Sequence, residues 1–279
     1  MPRVAIRDFG DPRLADYQNL KEAMLASQRG RFIVEGRGNL EVLFARSSYR
    51  PVSILLSERA ERSMALWLKE TEPDCPVYVA EQPVLDRVVG FPIHRGCLAA
   101  CERGEARDSV ALAAALLEHE AAPRIIVLEG LANHDNVGGI FRNAMALGGR
   151  GVILCPQTCD PLYRKAIRTS MGGTLCVPFA RAADWPAALG RLREQGYEVV
   201  ALDPGQASTR LDAFECRSLG PTALLLGTEG AGLSDAALSY ADRRLRIGME
   251  AGVDSLNVSV AAAIALYSLR DRDPTGAES

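Results

Sequence analysis

The chain has 279 residues, 48% of them hydrophobic and 24% charged, with a formal charge of −3 at pH 7. That composition belongs to ordinary folded protein and excludes disordered, collagenous and repeat chains, and the length suits two compact cores better than one. Its longest apolar stretches, such as Val110 to Leu117 and Ala261 to Tyr267, fall well short of the roughly 18 residues of a bilayer span, so no membrane partner is expected.

Met1 to Gly10 has no apolar segment behind its basic residues, so no secretory signal is read there and a cytoplasmic chain is expected. The cysteines number seven, an odd count that fits a reducing compartment. Cys97 with Cys101 and Cys155 with Cys159 have a C-x-x-x-C spacing that could be forced into a zinc site. Both pairs border apolar runs and lack the closer spacing usual in structural zinc, so they read as buried thiols and no metal is expected. Only Lys21, Lys69 and Lys165 are lysine; the other cationic residues are arginine, clustered at Arg29, Arg31 and Arg37, at Arg164, Lys165 and Arg168, and at Arg243, Arg244 and Arg246. Such clusters could make local basic surfaces for phosphate on an acidic protein, although a compositional bias toward arginine gives the same pattern.

In chain order, Leu14, Tyr17, Leu20 and Met24 predict a helix, and Arg31 to Glu35 a strand. Helices over Leu40 to Ala45, Met64 to Leu68 and Leu85 to Val89 alternate with strands over Val52 to Leu56, Pro76 to Ala80 and Gly96 to Ala100. This makes a small α/β domain over residues 1–104. Residues 105–123 read as a linker with an Ala-rich helix from Ser109 to Glu120, and a second domain covers 124–279. Its strands are expected at Arg124 to Glu129, Gly151 to Leu154, Thr174 to Phe179, Tyr197 to Leu202, Thr222 to Leu226 and Arg244 to Ile247. Strand and helix in alternation predict a parallel sheet covered on both faces, with ligands beyond the carboxyl ends of its strands.

Three loops at such ends carry glycines. The first, Leu131 to Arg142, opens a helix expected near Asn136, whose first turn would offer free N–H groups to an anion beside Gly138 and Gly139; helix capping and close packing are the plainer reading. The second, Gly227 to Ser234, lacks the Lys-Ser/Thr pair of a phosphate loop and the spacing of a dinucleotide fingerprint, which disfavours ATP and NAD. The third, Ile247 to Val260, runs into a helix at Ala261 to Leu269 whose small residues demand close packing; alone, Ser255 and Asn257 read as helix caps.

Together, in this order and spacing, the loops resemble the three motifs of the SpoU (TrmH) family of SPOUT RNA ribose methyltransferases. The motifs stand here as Asn136-Val137-Gly138-Gly139-Ile140-Phe141-Arg142, as Gly227 to Leu233, and as Ile247 to Ala261, with Arg168 to Gly173 resembling the intermediate loop. The likeness covers Arg124 to Arg270, and Phe32 to Ala100 resembles more weakly a ribosomal-protein-like substrate-binding domain. Three positions depart from the family pattern: Asn133-His134 replaces Asp-Pro, Gly139 an alanine and Gly248 a proline.

The resemblance implies an α/β fold with a trefoil-knotted methyltransferase domain, S-adenosylmethionine as cofactor, and a homodimer that completes the active site. It assigns the cofactor to Gly227, Thr228, Glu229, Gly230, Ile247, Met249 and Leu256. It assigns the chemistry to Arg142, with Asn136, Glu229, Ser255 and Asn257 orienting Arg142 and the ribose. A guanidinium is a poor base, so Arg142 is read as a clamp on the target phosphate that polarises the 2′-oxygen. The implied activity is 2′-O-methylation of structured RNA, with ribosomal preferred over transfer RNA because a separate recognition domain suits a large folded substrate. A non-catalytic knotted RNA-binding or ribosome-assembly protein is the alternative, against which Arg142, Glu229 and Asn257 all stand intact.

Overall fold

The computed structural model describes residues 3–18, 22–90, 93, 96–214 and 220–269; Leu20 and Arg270 of the expectations above lie outside them. Two compact units result, one formed by Met1–Glu105 with Pro161–Cys176 and the other by Ala106–Asp160 with Val177–Ser279. No helix of the described residues is long and apolar enough to cross a membrane.

The first unit contains β1 (Arg3–Ile6), α1 (Glu22–Arg29), β2 (Arg31–Glu35), α2 (Arg37–Arg46), β3 (Pro51–Ser57), α3 (Glu58–Ser63), α4 (Ala65–Thr71), β4 (Val77–Ala80), α5 (Gln82–Val89) and β5 (Cys97–Glu102). Its sheet has the order β1-β4-β3-β5-β2, with β1, β4 and β3 parallel and β5 antiparallel to both neighbours. Apolar runs bounded by Gly, Pro and Ser made β2 and β3 readable, and Ile33, Leu55, Leu85 and Leu98 meet in one core. The expected helix through Leu14 and Tyr17 is instead a short 3₁₀ turn, Pro12–Leu14, because Asp11 caps it by accepting the Arg13 N–H and Pro12 sets its first dihedral. Tyr17 still points inward. Its hydroxyl lies 2.8 Å from the Ser53 carbonyl and accepts the Ala100 N–H, and burial pushes its pKa well up.

After α6 (Ser109–His119), the second unit runs through β6 (Arg124–Leu128), α7 (His134–Leu147) and β7 (Gly149–Leu154). Then α8 (Arg164–Thr169) and α9 (Gly173–Cys176) belong with the first unit, where Arg164 donates to Glu22 and Glu35. The chain continues with β8 (Phe179–Arg181), α10 (Ala187–Glu194), β9 (Glu198–Leu202), β10 (Thr209–Arg210), β11 (Thr222–Leu226), α11 (Asp235–Leu238), β12 (Arg243–Arg246) and α12 (Val258–Ser268).

The expected strand over Thr174 to Phe179 is therefore corrected to a helix followed by β8. Ser170 Oγ takes the Thr174 N–H and the Gly172 carbonyl takes that of Leu175, which curls the backbone before Pro178. The supposed linker helix α6 is a core element of the second unit, with Ala113 buried among Ile125, Val127 and Leu189. Segment 161–176, expected in the second domain, groups with the first.

The seven-stranded sheet has the order β10-β12-β9-β11-β6-β7-β8, parallel throughout. Alternate residues feed its two faces: Ile125 and Val127 meet α6 and α10, whereas Ile126 and Leu128 meet α7 and α12. From central β11 the chain crosses beyond β9 to β12, then returns as α12 onto α7. Arg124 at the start of β6 donates to the Leu269 carbonyl and so fastens the end of α12. This return path brings the loops after β11 and β12 together.

Candidate functional site

The second glycine loop folds back on itself. Thr228 and Gly232 exchange backbone hydrogen bonds of 3.1 Å each, and Gly230 and Gly232 take φ of +97° and +71°. At Gly227 the constraint is space, since a Cβ would collide with the backbone of Gly232 and Leu233. Glu129, at the end of β6, accepts hydrogen bonds from the Ser234 N–H (2.9 Å), the Ser234 hydroxyl (2.7 Å) and Trp185 Nε1 (2.7 Å), pinning the far end of the loop.

The third loop ends at α12, where Asn257 Oδ1 caps the helix by accepting the N–H groups of Ser259 (2.9 Å) and Val260 (3.3 Å). Its Nδ2 donates to Asn136 Oδ1 (2.9 Å) and Glu229 Oε1 (3.2 Å), and Asn136 Nδ2 donates to the same Glu229 oxygen at 2.6 Å. One side chain from each motif loop thus enters a closed three-residue network. Below it Gly139 faces Ser259, where a Cβ would sit 2.9 Å from the serine Cβ, and Asn143 Nδ2 donates to the Ser259 carbonyl. Glycine at 139 permits this approach of α7 and α12.

The first loop differs from expectation in its cap. Asn133 caps α7 by accepting the Asp135 N–H, so the helix begins at His134 and the amides beside Gly138 and Gly139 lie inside it. Of the two readings of this loop, helix capping and close packing therefore hold over an anion site, and Asn136, a turn further in, is freed for Glu229.

A cavity of about 490 Å³ opens at the carboxyl ends of the strands, within the usual range of small-ligand sites of ~300–1,000 Å³. Among its lining residues are Gly227, Thr228, Glu229, Gly230, Ile247, Met249, Ser255, Leu256 and Asn257, so all seven residues assigned to the cofactor converge on it. Neither Asn136 nor Arg142 lines it. Arg142 is exposed on α7 and makes no hydrogen bond or ion pair among the described residues, so Asn136, Glu229, Ser255 and Asn257 do not orient it within this chain as expected.

Sequence reasoning missed Leu202, Asp203 and Pro204, which line the cavity from the end of β9. The rule that ligands sit beyond parallel strand ends could have found them. Among the described residues, Asp203, Glu229 and Asp254 line the cavity with one cation, Arg246, whose Nε donates to the Ser208 carbonyl. That lining suits a positively charged ligand with apolar parts better than a polyphosphate.

The arginine clusters are largely occupied within the fold. Arg29 pairs with Asp16, Arg37 with Glu41, Arg164 with Glu22 and Glu35, and Arg243 with Glu198. The paired-cysteine positions are separately engaged: Cys97 and Cys101 are buried in β5, and Cys155 Sγ accepts the Gly130 N–H. Among the described residues no three His, Cys, Asp or Glu side chains gather as metal ligands.

Residues 123–267 match the sequence profile of the SpoU rRNA methylase family. An uncharacterized tRNA/rRNA methyltransferase of Mycobacterium bovis is 40% identical over 270 residues, 93% of this chain and 89% of the relative. The 23S rRNA (guanosine-2′-O-)-methyltransferase RlmB of Yersinia pestis is 28% identical, over 85% of this chain and 96% of its own length. In structure, the AdoMet-bound rRNA methyltransferase from Sinorhizobium meliloti superposes with a TM-score of 0.79 at 22% identity, covering 96% of this chain and 97% of that one, so the fold is shared.

Proposed function

The chain belongs to the SpoU rRNA methylase family of RNA methyltransferases, and from that premise we propose that it methylates a ribose 2′-hydroxyl in ribosomal RNA, with S-adenosylmethionine as donor. The observation that carries the reading is the cavity closed by the loops after β11 and β12, in which a bare Gly227 backbone and three carboxylates meet apolar walls. S-adenosylmethionine supplies an electrophilic methyl on a sulfonium centre, and the acidic lining suits its charge. The 2′-O and ribosomal assignments draw support from the Yersinia relative, whose name specifies both. A ribosomal substrate also agrees with the cytoplasmic location expected from the sequence.

The chain's own residues then divide the work. Gly227 and its neighbours bring backbone close to the cofactor, while the Asn136–Glu229–Asn257 network fixes the three loops against one another. Arg142 clamps the target phosphate and polarises the 2′-oxygen as its proton leaves to phosphate or water. Because Arg142 lies off the cavity wall, it acts in the site of a partner protomer in a homodimer. The exposed apolar residues Val260 and Tyr267 of α12, 47% and 52% accessible, support such an interface. Comparing 2′-O-methylated nucleotides in RNA from cells with and without the gene tests the activity. One ribosomal position losing its methyl group is expected; unchanged ribosomal RNA with a transfer-RNA position lost would move the substrate, and no lost position would remove the activity.

A further inference from the structure

Arg210 is an exposed arginine outside the three motifs, 38 positions before Gly248, yet its guanidinium lies on the loop that walls the cavity. A Cβ built on Gly248 would sit 2.9 Å from Arg210 Cζ, 2.8 Å from Nη2 and 3.1 Å from Nη1. Near-equal distances to all three atoms mean that the flat face of the guanidinium, not its edge, covers this glycine. Approach in the plane would leave Cζ clearly farther away than the nitrogens.

The guanidinium is held by one side chain, and its backbone by the sheet. Asp212 takes it as a fork, with Nε to Oδ1 at 2.9 Å and Nη2 to Oδ2 at 2.6 Å. Its backbone is fixed by the pairing of β10 with β12, in which Arg210 stands opposite Arg246. Gly248 separates Ile247 from Met249, which both line the cavity. Its φ lies outside the left-handed region, so an L-residue would fit the backbone, and a Cβ there would displace the Arg210 guanidinium from its place over the glycine.

We propose that Arg210, braced by Asp212 and stacked on Gly248, is a positioning residue for the donor pocket: it holds Ile247 and Met249 in binding geometry without touching the ligand. The inference rests on the reading of this cavity as the S-adenosylmethionine site. Either loss of the guanidinium or a methyl group at position 248 breaks the same stack, so the two changes must be non-additive.

Isothermal titration with S-adenosylhomocysteine should show Arg210→Ala and Gly248→Ala each binding about three- to tenfold more weakly than wild type, and the double variant no more weakly than either. Arg210→Lys, which keeps charge but not the planar face, should resemble Arg210→Ala. Amide hydrogen exchange at residues 247–250 should quicken in both single variants, a readout independent of ligand. Multiplying effects in the double variant, full rescue by lysine, or unchanged exchange and affinity would overturn the proposal. A wild-type chain that fails to bind S-adenosylhomocysteine, while the variants still loosen residues 247–250, would overturn the cofactor reading and leave the brace standing.

Discussion

Asn136 and Arg142 stand on the same helix, six positions and so about 240° of helical rotation apart. Asn136 is 5% accessible and bonds to both Glu229 and Asn257, whereas Arg142 is exposed and without a partner among the described residues. The difference separates two tasks. Residues that shape the donor pocket are locked to one another across sequence gaps of 93 and 121 positions. Arg142 has no hydrogen bond or ion pair among the described residues, which fits the proposal that it meets the RNA in another protomer's site.

The largest effect is expected at Arg142. Arg142→Ala should lower single-turnover methyl transfer by roughly a hundred- to a thousandfold, about 3–4 kcal/mol of transition-state stabilisation, with donor affinity kept within a few-fold. Arg142→Lys should not recover the loss, because an ammonium lacks the planar fork. Transfer near the wild-type rate in the alanine variant would dissolve the comparison and make Arg142 a surface residue of α7.

On the other side of it, Gly227→Ala forces backbone against side chain at the mouth of the loop. Denaturant melts should show about 1–3 kcal/mol of lost stability, the usual cost of overpacking, and titration should show donor binding weakened more than tenfold. Wild-type affinity would mean that the loop need not close as it does here. Asn257→Ala should cost less, about 1 kcal/mol for the lost cap, with a several-fold weaker donor affinity as Asn136 and Glu229 lose a shared donor. An equal loss of stability with no change in affinity would reduce the network to helix capping.

The smallest effect is expected from metal removal. Burial, helped by neighbouring Asp160, pushes the Cys159 thiol to about 11, and burial beside Asp74 pushes Cys75 to about 11. Both are therefore slow nucleophiles near neutral pH, and among the described residues no three His, Cys, Asp or Glu side chains gather as metal ligands around either. Prolonged treatment with a zinc chelator should leave melting temperature and activity unchanged, and alkylation of these cysteines should accelerate only as the pH approaches that value. A loss of activity reversed by zinc would overturn the reading.

Much of the fold could be read from local pattern. Strands β2, β3 and β11 are apolar runs between turn residues, and α12 needed only its small side chains to be recognised. What failed was decided by single side chains or by distant partners. Ser170 turned an apparent strand into α9, Asn133 rather than Asn136 capped α7, and β10 is two exposed residues recognisable only beside β12. The site was legible through resemblance at Gly227 to Gly230 and Ile247 to Leu256, because glycine-rich loops keep their spacing. Glu129, Asp203 and Arg210 were not, since an acid or arginine at a strand end acquires its role from residues tens of positions away.

Mixing two defective chains tests the division of labour most directly. Arg142→Ala keeps the donor pocket, Gly227→Val closes it, and each variant alone should be almost inactive. Co-expressed, they should recover about a quarter of wild-type methyl transfer, because half of randomly formed dimers are mixed and each mixed dimer retains one complete site. Activity no greater than the sum of the separate variants, in preparations shown to contain the mixed dimer, would contradict an Arg142 that works across the interface.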